Sequence, residues 1–309
     1  MAETVLSFYL DDTNPYVSGA DAFNTFLDFV VAEGIAGESS VILGSGWESH
    51  GLLSQPKTDE QRAFVEQVRR AYECGIDSHM EVMTHEGLFD FEAGGVPEGA
   101  QHEWVWLHEP EVGLEAYESY FGRIVEEGER IGMRFTGVTW PGCSCEACER
   151  RYGELRGGDS FGVNPNVWQA LLNVSQGGGF RGRTVPCFTL NERTAPDVEP
   201  MARDGEYGVY DLLPNAQDQF GIWDNDPARV SADYYISEDG ESGRVVELVR
   251  AGAPHCIFYA HWQGLNPANG VGWEAFTQVV RRIRKHLGDQ VAWMRPSEYT
   301  DQCHGSADG

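Results

Sequence analysis

The sequence predicts an α/β chain folded as a distorted barrel of seven or eight βα units, and three observations carry that expectation. Eight apolar runs of four to eight residues are separated by longer stretches, many with apolar residues at three-to-four spacing. No composition shift or linker breaks the chain, so residues 1–309 are expected to form one domain. Carboxylates and histidines gather at the C-terminal ends of the runs, where barrels of this kind place their chemistry.

Residues 5–10 are the first expected strand, ending on Asp11-Asp12, and residues 20–32 the first helix. A second strand is expected at 40–43 and a second helix at 59–74, with Thr58 and Asp59 at its cap and Gly75 at its stop. The third strand is expected at 76–82, the third helix at 114–131 before Gly132, and the fourth strand at 135–140. Strands at 185–190, 209–213, 256–262 and 291–294 follow, with helices at 243–250 and 273–287. Residues 90–110, 157–182 and 218–226 read as loops, and long loops in a compact domain commonly form functional rims. Gly177-Gly178-Gly179 has no strand before it and no lysine after it, so it reads as a flexible loop rather than a phosphate cradle.

Composition narrows the function. The chain carries 22 Lys+Arg against 49 Asp+Glu, a formal net charge of −27. Such a surface repels phosphate backbones and anionic headgroups, so neither nucleic acid nor membrane is an expected partner. With 41% hydrophobic and 12% aromatic residues it has ample core material, unlike an acidic disordered tail. Lys57 and Lys285 are its only lysines, which suits either a saline cytoplasm or a GC-rich genome. Met1-Ala2-Glu3-Thr4 lacks the basic start of an export signal, so a cytoplasmic address is expected.

The strand ends hold the chemistry. Asp11 and Asp12 close the first run, His79 and Glu81 lie two apart on one face of the third, His85 follows in the loop, and His261 ends a late run. Carboxylate and imidazole together suit a divalent metal, Zn first, with Mn, Co, Ni or Fe as alternatives. The plainer reading of the histidines is rim residues hydrogen-bonded to their neighbours.

These residues resemble a family. Tyr9-Leu10-Asp11-Asp12-Thr13 is similar to the T-F-D-D-G motif that opens the polysaccharide deacetylase (NodB homology) domain of carbohydrate esterase family four. The segment from Gly75 to His85 resembles its second motif, ending H-S/T-x-x-H, and Phe258-Tyr259-Ala260-His261 its late L-x-x-H motif. Thr139-Trp140-Pro141 falls where R-x-P is expected, and the segment from Trp293 to Tyr299 resembles the closing strand and helix.

The resemblance implies a NodB-like barrel and metal-dependent hydrolysis of an amide or ester on a sugar. It implies Asp11 as general base, Asp12 and His85 as metal ligands, and His261 as the acid that protonates the leaving group. Glu81 stands where the family has its first ligand histidine, with His79 on the same face as a substitute. Thr13 replaces a glycine, and Thr139 replaces the arginine that would orient a catalytic carboxylate.

Trp140 and Trp262, each beside a motif residue, are the aromatic faces expected to stack on a small carbohydrate or related substrate. Cys143, Cys145 and Cys148, with Cys187 from the next strand, form a possible second, structural zinc site; a redox disulfide or free thiols are the alternatives. Two other functions fit the same residues: a carbohydrate-binding barrel without catalysis, and a cyclic-amide hydrolase of the same fold. The adjacent pair Asp11-Asp12 favours catalysis, because binding alone needs no paired carboxylates. The sequence leaves the oligomeric state open.

Overall fold

The computed structural model describes residues 3–13, 20–44, 52–84, 87–100, 103–140, 163–188, 198–212, 214–221 and 226–306. Its strands are β1 (Thr4–Asp11), β2 (Gly37–Val41), β3 (Asp77–Met80), β4 (Gly137–Thr139), β5 (Thr184–Phe188), β6 (Val198–Asp204), β7 (Tyr207–Leu212), β8 (His255–His261) and β9 (Val291–Trp293). They form one sheet in the order β6-β7-β5-β4-β3-β2-β1-β8, with β9 also beside β1. Every pairing is parallel except β6 with β7.

The sheet is curled. Tyr9 of β1 stacks on Phe188 of β5 with ring centroids 4.6 Å apart, although β2, β3 and β4 lie between them in the ladder. Val5, Tyr9, Phe188, Leu212 and Ile257 therefore share an interior. On β8, Phe258 bridges Ala216 in the segment that follows β7, but among the described residues no ladder joins β8 to β6 or β7. The expected barrel is met as a curled, mostly parallel α/β sheet.

Strand alternation sorts the side chains into two layers. On β1, Val5 and Tyr9 face the interior, whereas Leu6, Phe8 and Leu10 face the helices Ala20–Glu33 and Val271–His286 and meet Phe23, Phe26 and Phe276. Around β3 to β5, the outer residues Met80, Val138, Val185 and Cys187 pack with the helices Asp59–Glu73, Leu114–Arg130 and Pro165–Gln176. Each fully buried Phe or Leu of these layers contributes on the order of 1.5–3 kcal/mol. Helix Asp59–Glu73 begins as expected, with a capping box in which Thr58 Oγ1 accepts from Gln61 N and Gln61 Oε1 from Thr58 N, both at 3.1 Å. It ends before Gly75, whose φ of +80° a side chain would strain.

Two segments differ from expectation. Residues 157–182 were expected to be irregular, yet helix Pro165–Gln176 lies within them, capped by Asn164 and burying Val167, Trp168, Leu171 and Leu172 on one face. The glycines after it are tied down: Arg134 donates to the carbonyls of Gly178 and Phe180, and Phe180 is buried. Strand β6 was not anticipated, because it is an antiparallel edge strand broken by a register shift between Pro200 and Ala202. A proline without an N–H fits such an edge. No helix among the described residues is long and apolar enough to cross a membrane.

Candidate active site

The site is built where two strands leave the sheet under strain. Alternation would turn Asp12 to the helix layer after the inward-facing Asp11, but Asp12 has φ of +63° and its side chain stays beside Asp11. Across β2, Val82 has φ of +37° immediately after Glu81. These are the non-glycine residues of positive φ among those described, and for a β-branched valine that geometry is an outlier. Strain of this kind, on the order of 1–3 kcal/mol each, persists where surrounding structure enforces it and gathers at functional sites.

The result is a cluster in which one carboxylate oxygen from each of Asp11, Asp12 and Glu81 lies within 4.8 Å of the others. Asp12 N–H donates to Asp11 Oδ1 at 3.1 Å and to Glu81 Oε2 at 3.2 Å. Ser40 of β2 donates to Glu81 Oε2 at 2.5 Å and reaches Asp11 Oδ1 at 3.4 Å. Asp11 and Glu81 are buried, and Asp12 keeps 8% of its surface exposed.

His261 ends β8 in direct register with Asp11 on the neighbouring strand. Its Nδ1 is 2.8 Å from Asp218 Oδ2, and its backbone N–H donates to the same oxygen at 2.9 Å. That contact fixes the tautomer carrying the proton on Nδ1. Asp218 is itself held by Phe220 N–H at 2.8 Å. On the other side of the ring, Nε2 lies 3.0 Å from Tyr259 Oη, which also reaches Asp11 Oδ2 at 3.5 Å. Burial first, then Asp11, Asp12, Asp218 and Glu81, push Tyr259 well above its ordinary pKa. One turn on, Gln263 Nε2 donates to Asp12 Oδ2 at 3.0 Å.

Below this cluster the interior stays polar. Glu38 of β2 is wholly buried and held well above the carboxylate range, by burial first and then by Asp11, Asp77 and Glu81. His79 of β3 lies beside it, Nδ1 3.6 Å from Glu38 Oε2, with its ring 5.5 Å from that of Phe188. Burial lowers the His79 pKa to about 3, so its ring is neutral at physiological pH. Gly137 permits this packing: a Cβ there would sit 2.4 Å from His79 Nε2.

The structure brings together Asp11, Asp12, Glu81 and His261 from the expected set. His79 lies outside the carboxylate cluster, one layer deeper, where it meets Glu38 and Thr139 rather than Asp12. Trp262 is corrected: it is fully buried, edge-on to Phe23 at 5.1 Å and Phe26 at 5.8 Å in the helix layer, so it presents no face to a substrate. Trp140 is likewise packed, 6% exposed and 5.4 Å from Trp168. Both follow an inward-facing residue, Thr139 or His261, so strand alternation sends them outward. Cys187 is a buried free thiol of β5 whose pKa is raised by burial and then by Asp211. His85, Cys143, Cys145 and Cys148 lie outside the described residues.

Three members of the site were missed. Tyr259 was findable, being two residues before His261 and on the same face of β8. Gln263 follows the strand end closely but belongs to no recognised motif. Asp218 is 43 residues from His261 in sequence, and nothing local marks it.

The donor chemistry suits a divalent cation, since three carboxylates with little exposed surface converge here. Asp218, His261 and Tyr259 then form a hydrogen-bonded line ending at Asp11.

No protein-family model matches the chain, and no curated protein matches it. Among solved structures, a probable polysaccharide deacetylase from Pseudomonas aeruginosa PAO1 is similar over 97% of this chain and 89% of its own, at a TM-score of 0.50 and 10% identity. A tryptophan synthase from Mycobacterium tuberculosis aligns at a TM-score of 0.30 and 12% identity, over 93% of this chain and 91% of its own, too distant to bear on this chain. At 10% identity the first likeness concerns the fold alone: this chain has a mixed α/β, deacetylase-like fold with a mostly parallel sheet.

Proposed function

We propose that the protein is a metal-dependent hydrolase of the polysaccharide deacetylase type, cleaving a non-peptide C–N bond or an ester C–O bond on a carbohydrate-derived small substrate. The observation that carries this reading is the strained convergence of Asp11, Asp12 and Glu81 beside a histidine oriented by its own aspartate.

In this reading Asp12 and Glu81 hold the ion, with His85 the further ligand that the family resemblance suggests. A bound divalent cation would supply acidification of a water and polarisation of the scissile carbonyl. Asp11, buried between Ser40 and Tyr259, takes the proton of the attacking water. His261, in the form that carries a proton on both ring nitrogens, would give the one on Nε2 to the departing amine or alkoxide and keep the one on Nδ1, where Asp218 holds the ring aligned. Tyr259 Oη, 3.0 Å from Nε2, is the group a leaving atom would displace.

Acetate release from acetylated chito-oligosaccharides and from aryl acetates, measured with and without added divalent metal, tests the proposal. Activity that requires metal and falls by about 10²- to 10⁴-fold in His261→Ala supports it. Metal binding with no turnover of any acetylated sugar, aryl ester or cyclic amide would leave a binding protein as the better reading.

A further inference from the structure

The proposed hydrolase reading leaves open what kind of ion the cluster takes, and two features outside the family motifs bear on that. The first is Gln263. Its short helix, Trp262–Leu265, starts directly after β8, and its side chain reaches Asp12 at the end of β1. Its carboxamide nitrogen donates to Asp12 Oδ2, while its Oε1 is buried without a hydrogen-bond partner among the described residues. An amide oxygen left dry costs on the order of 1–3 kcal/mol, so a partner for it is expected. The two ends of a carboxamide exchange by a half-turn of its last torsion, which would put Oε1 where Nε2 now meets Asp12.

The second feature is below the cluster. Tyr9 is wholly buried, its hydroxyl is without a partner among the described residues, and its charged neighbours are Asp11, Glu38 and Glu81. Glu38 Oε2 is equally buried and equally without a hydrogen bond. Buried oxygens without a hydrogen bond thus belong to residues that adjoin the three converging carboxylates, Gln263 through Asp12 and Tyr9 through Asp11, Glu38 and Glu81, an arrangement an electropositive guest would complete and an apolar one would not. Among the described residues the converging groups are the carboxylates of Asp11, Asp12 and Glu81 and the Gln263 carboxamide, whose nitrogen meets Asp12.

We propose that Gln263 is an oxygen ligand of this centre and that Asp12, Glu81 and Gln263, with Asp11 alongside, select a hard divalent cation of the Mn²⁺ and Mg²⁺ class. Carboxylate and carboxamide oxygens suit Mg²⁺, Ca²⁺ and Mn²⁺, whereas zinc sites are built chiefly from imidazole and thiolate. Zinc retains its general advantage in raw affinity, so the signature is that hard ions bind and compete at all. The inference rests on the hydrolase reading only in placing an ion between these carboxylates.

The test uses the purified full-length chain, stripped with a chelator, and reads Mn²⁺ by electron paramagnetic resonance. Mn²⁺ is expected to bind, to be released by millimolar Mg²⁺ or Ca²⁺, and to be lost in Asp12→Ala. Gln263→Leu is expected to weaken Mn²⁺ by about 10- to 100-fold, the usual cost of a lost metal-site partner, and Gln263→Glu to restore or tighten it. Circular dichroism melts of the stripped variants establish that each is folded.

Unchanged Mn²⁺ affinity in a folded Gln263→Leu variant overturns the ligand assignment. Zn²⁺ binding that depends on Asp12, with no Mn²⁺ or Mg²⁺ binding, overturns the hard-cation inference and leaves the hydrolase reading intact. No binding of any of these ions overturns both.

Discussion

The interior of the curled sheet is polar at both ends, and the two ends are built on opposite plans. At the end near the strand starts, the C-terminal helix Pro296–Ser306 closes the interior and gives polar groups there a hydrogen-bond partner. Asp77 accepts from Ser297 N at 2.7 Å and Ser297 Oγ at 2.9 Å, Thr184 meets Thr300 at 2.9 Å, His255 meets Tyr299 at 3.1 Å, and Tyr210 meets His304 at 2.7 Å. At the other end Asp11, Asp12 and Glu81 converge as like charges on strained backbone, with Tyr9 and Glu38 incompletely bonded beneath them. One end is arranged for stability, while the other holds the conformational cost that a binding site carries.

That contrast can be broken at either end. The largest effect is expected from Asp12→Gly, which removes a cluster carboxylate and supplies the residue that φ of +63° favours. Metal-dependent hydrolysis should fall to background while the stripped protein gains about 1 kcal/mol in urea unfolding, because strain and charge repulsion are both relieved. A loss of stability instead would mean that Asp12 belongs to the supporting structure.

At the closed end, Asp77→Ala leaves Ser297 N–H and its hydroxyl without their acceptor. About 2 kcal/mol of stability should go at neutral pH, with the cation affinity of the other end unchanged.

Two buried groups respond to pH in opposite senses. Burial raises the Asp77 pKa to about 6, so the folded chain binds that proton more tightly than the unfolded chain, and its contribution to stability falls as pH rises from about 4 through 6. Burial lowers the His79 pKa to about 3, so the unfolded chain protonates first and this contribution rises with pH from about 3 through 6.5. The two slopes oppose each other near pH 5. Asp77→Asn should therefore make stability climb more steeply with pH between 4 and 6, by up to about 1.4 kcal/mol per pH unit, and His79→Gln should make it fall. Parallel unfolding curves for the wild type and both variants over that window would refute the assignment.

The smallest effect is expected from Tyr210→Phe, which deletes one hydroxyl facing His304 Nδ1. A cost of about 1 kcal/mol and no change in metal affinity would keep the two ends separate. The net charge of −27 adds a global test: melting temperature should rise with molar KCl if screening of the acidic surface matters, and a flat response removes that role for the charge.

Much of this arrangement was legible in order along the chain. The inward pair Asp11 and His261 and the carboxylate Glu81 could be picked out because barrels place polar groups at strand ends and strands have a period of two. The same period, applied one residue further, places Trp140 and Trp262 in the helix layer and so corrects them as substrate contacts. It fails at Asp12, where a left-handed residue returns the side chain to the site. Helix Pro165–Gln176 carried its own signals, an Asn164 cap and a buried face, but the glycine run after it and its position in a polar stretch obscured them.

The sequence by itself determined the alternation of strands and helices, the acidic surface, and the carboxylates and histidine of the site, because these depend on local period and on residue type. Only the tertiary structure decided that Asp218 orients His261, that Gln263 rests on Asp12, that His79 sits a layer below the cluster, and that the C-terminal helix seals the opposite end. Those contacts join residues 41 to 251 positions apart, and their partners are selected by the curl of the sheet rather than by any spacing along the chain.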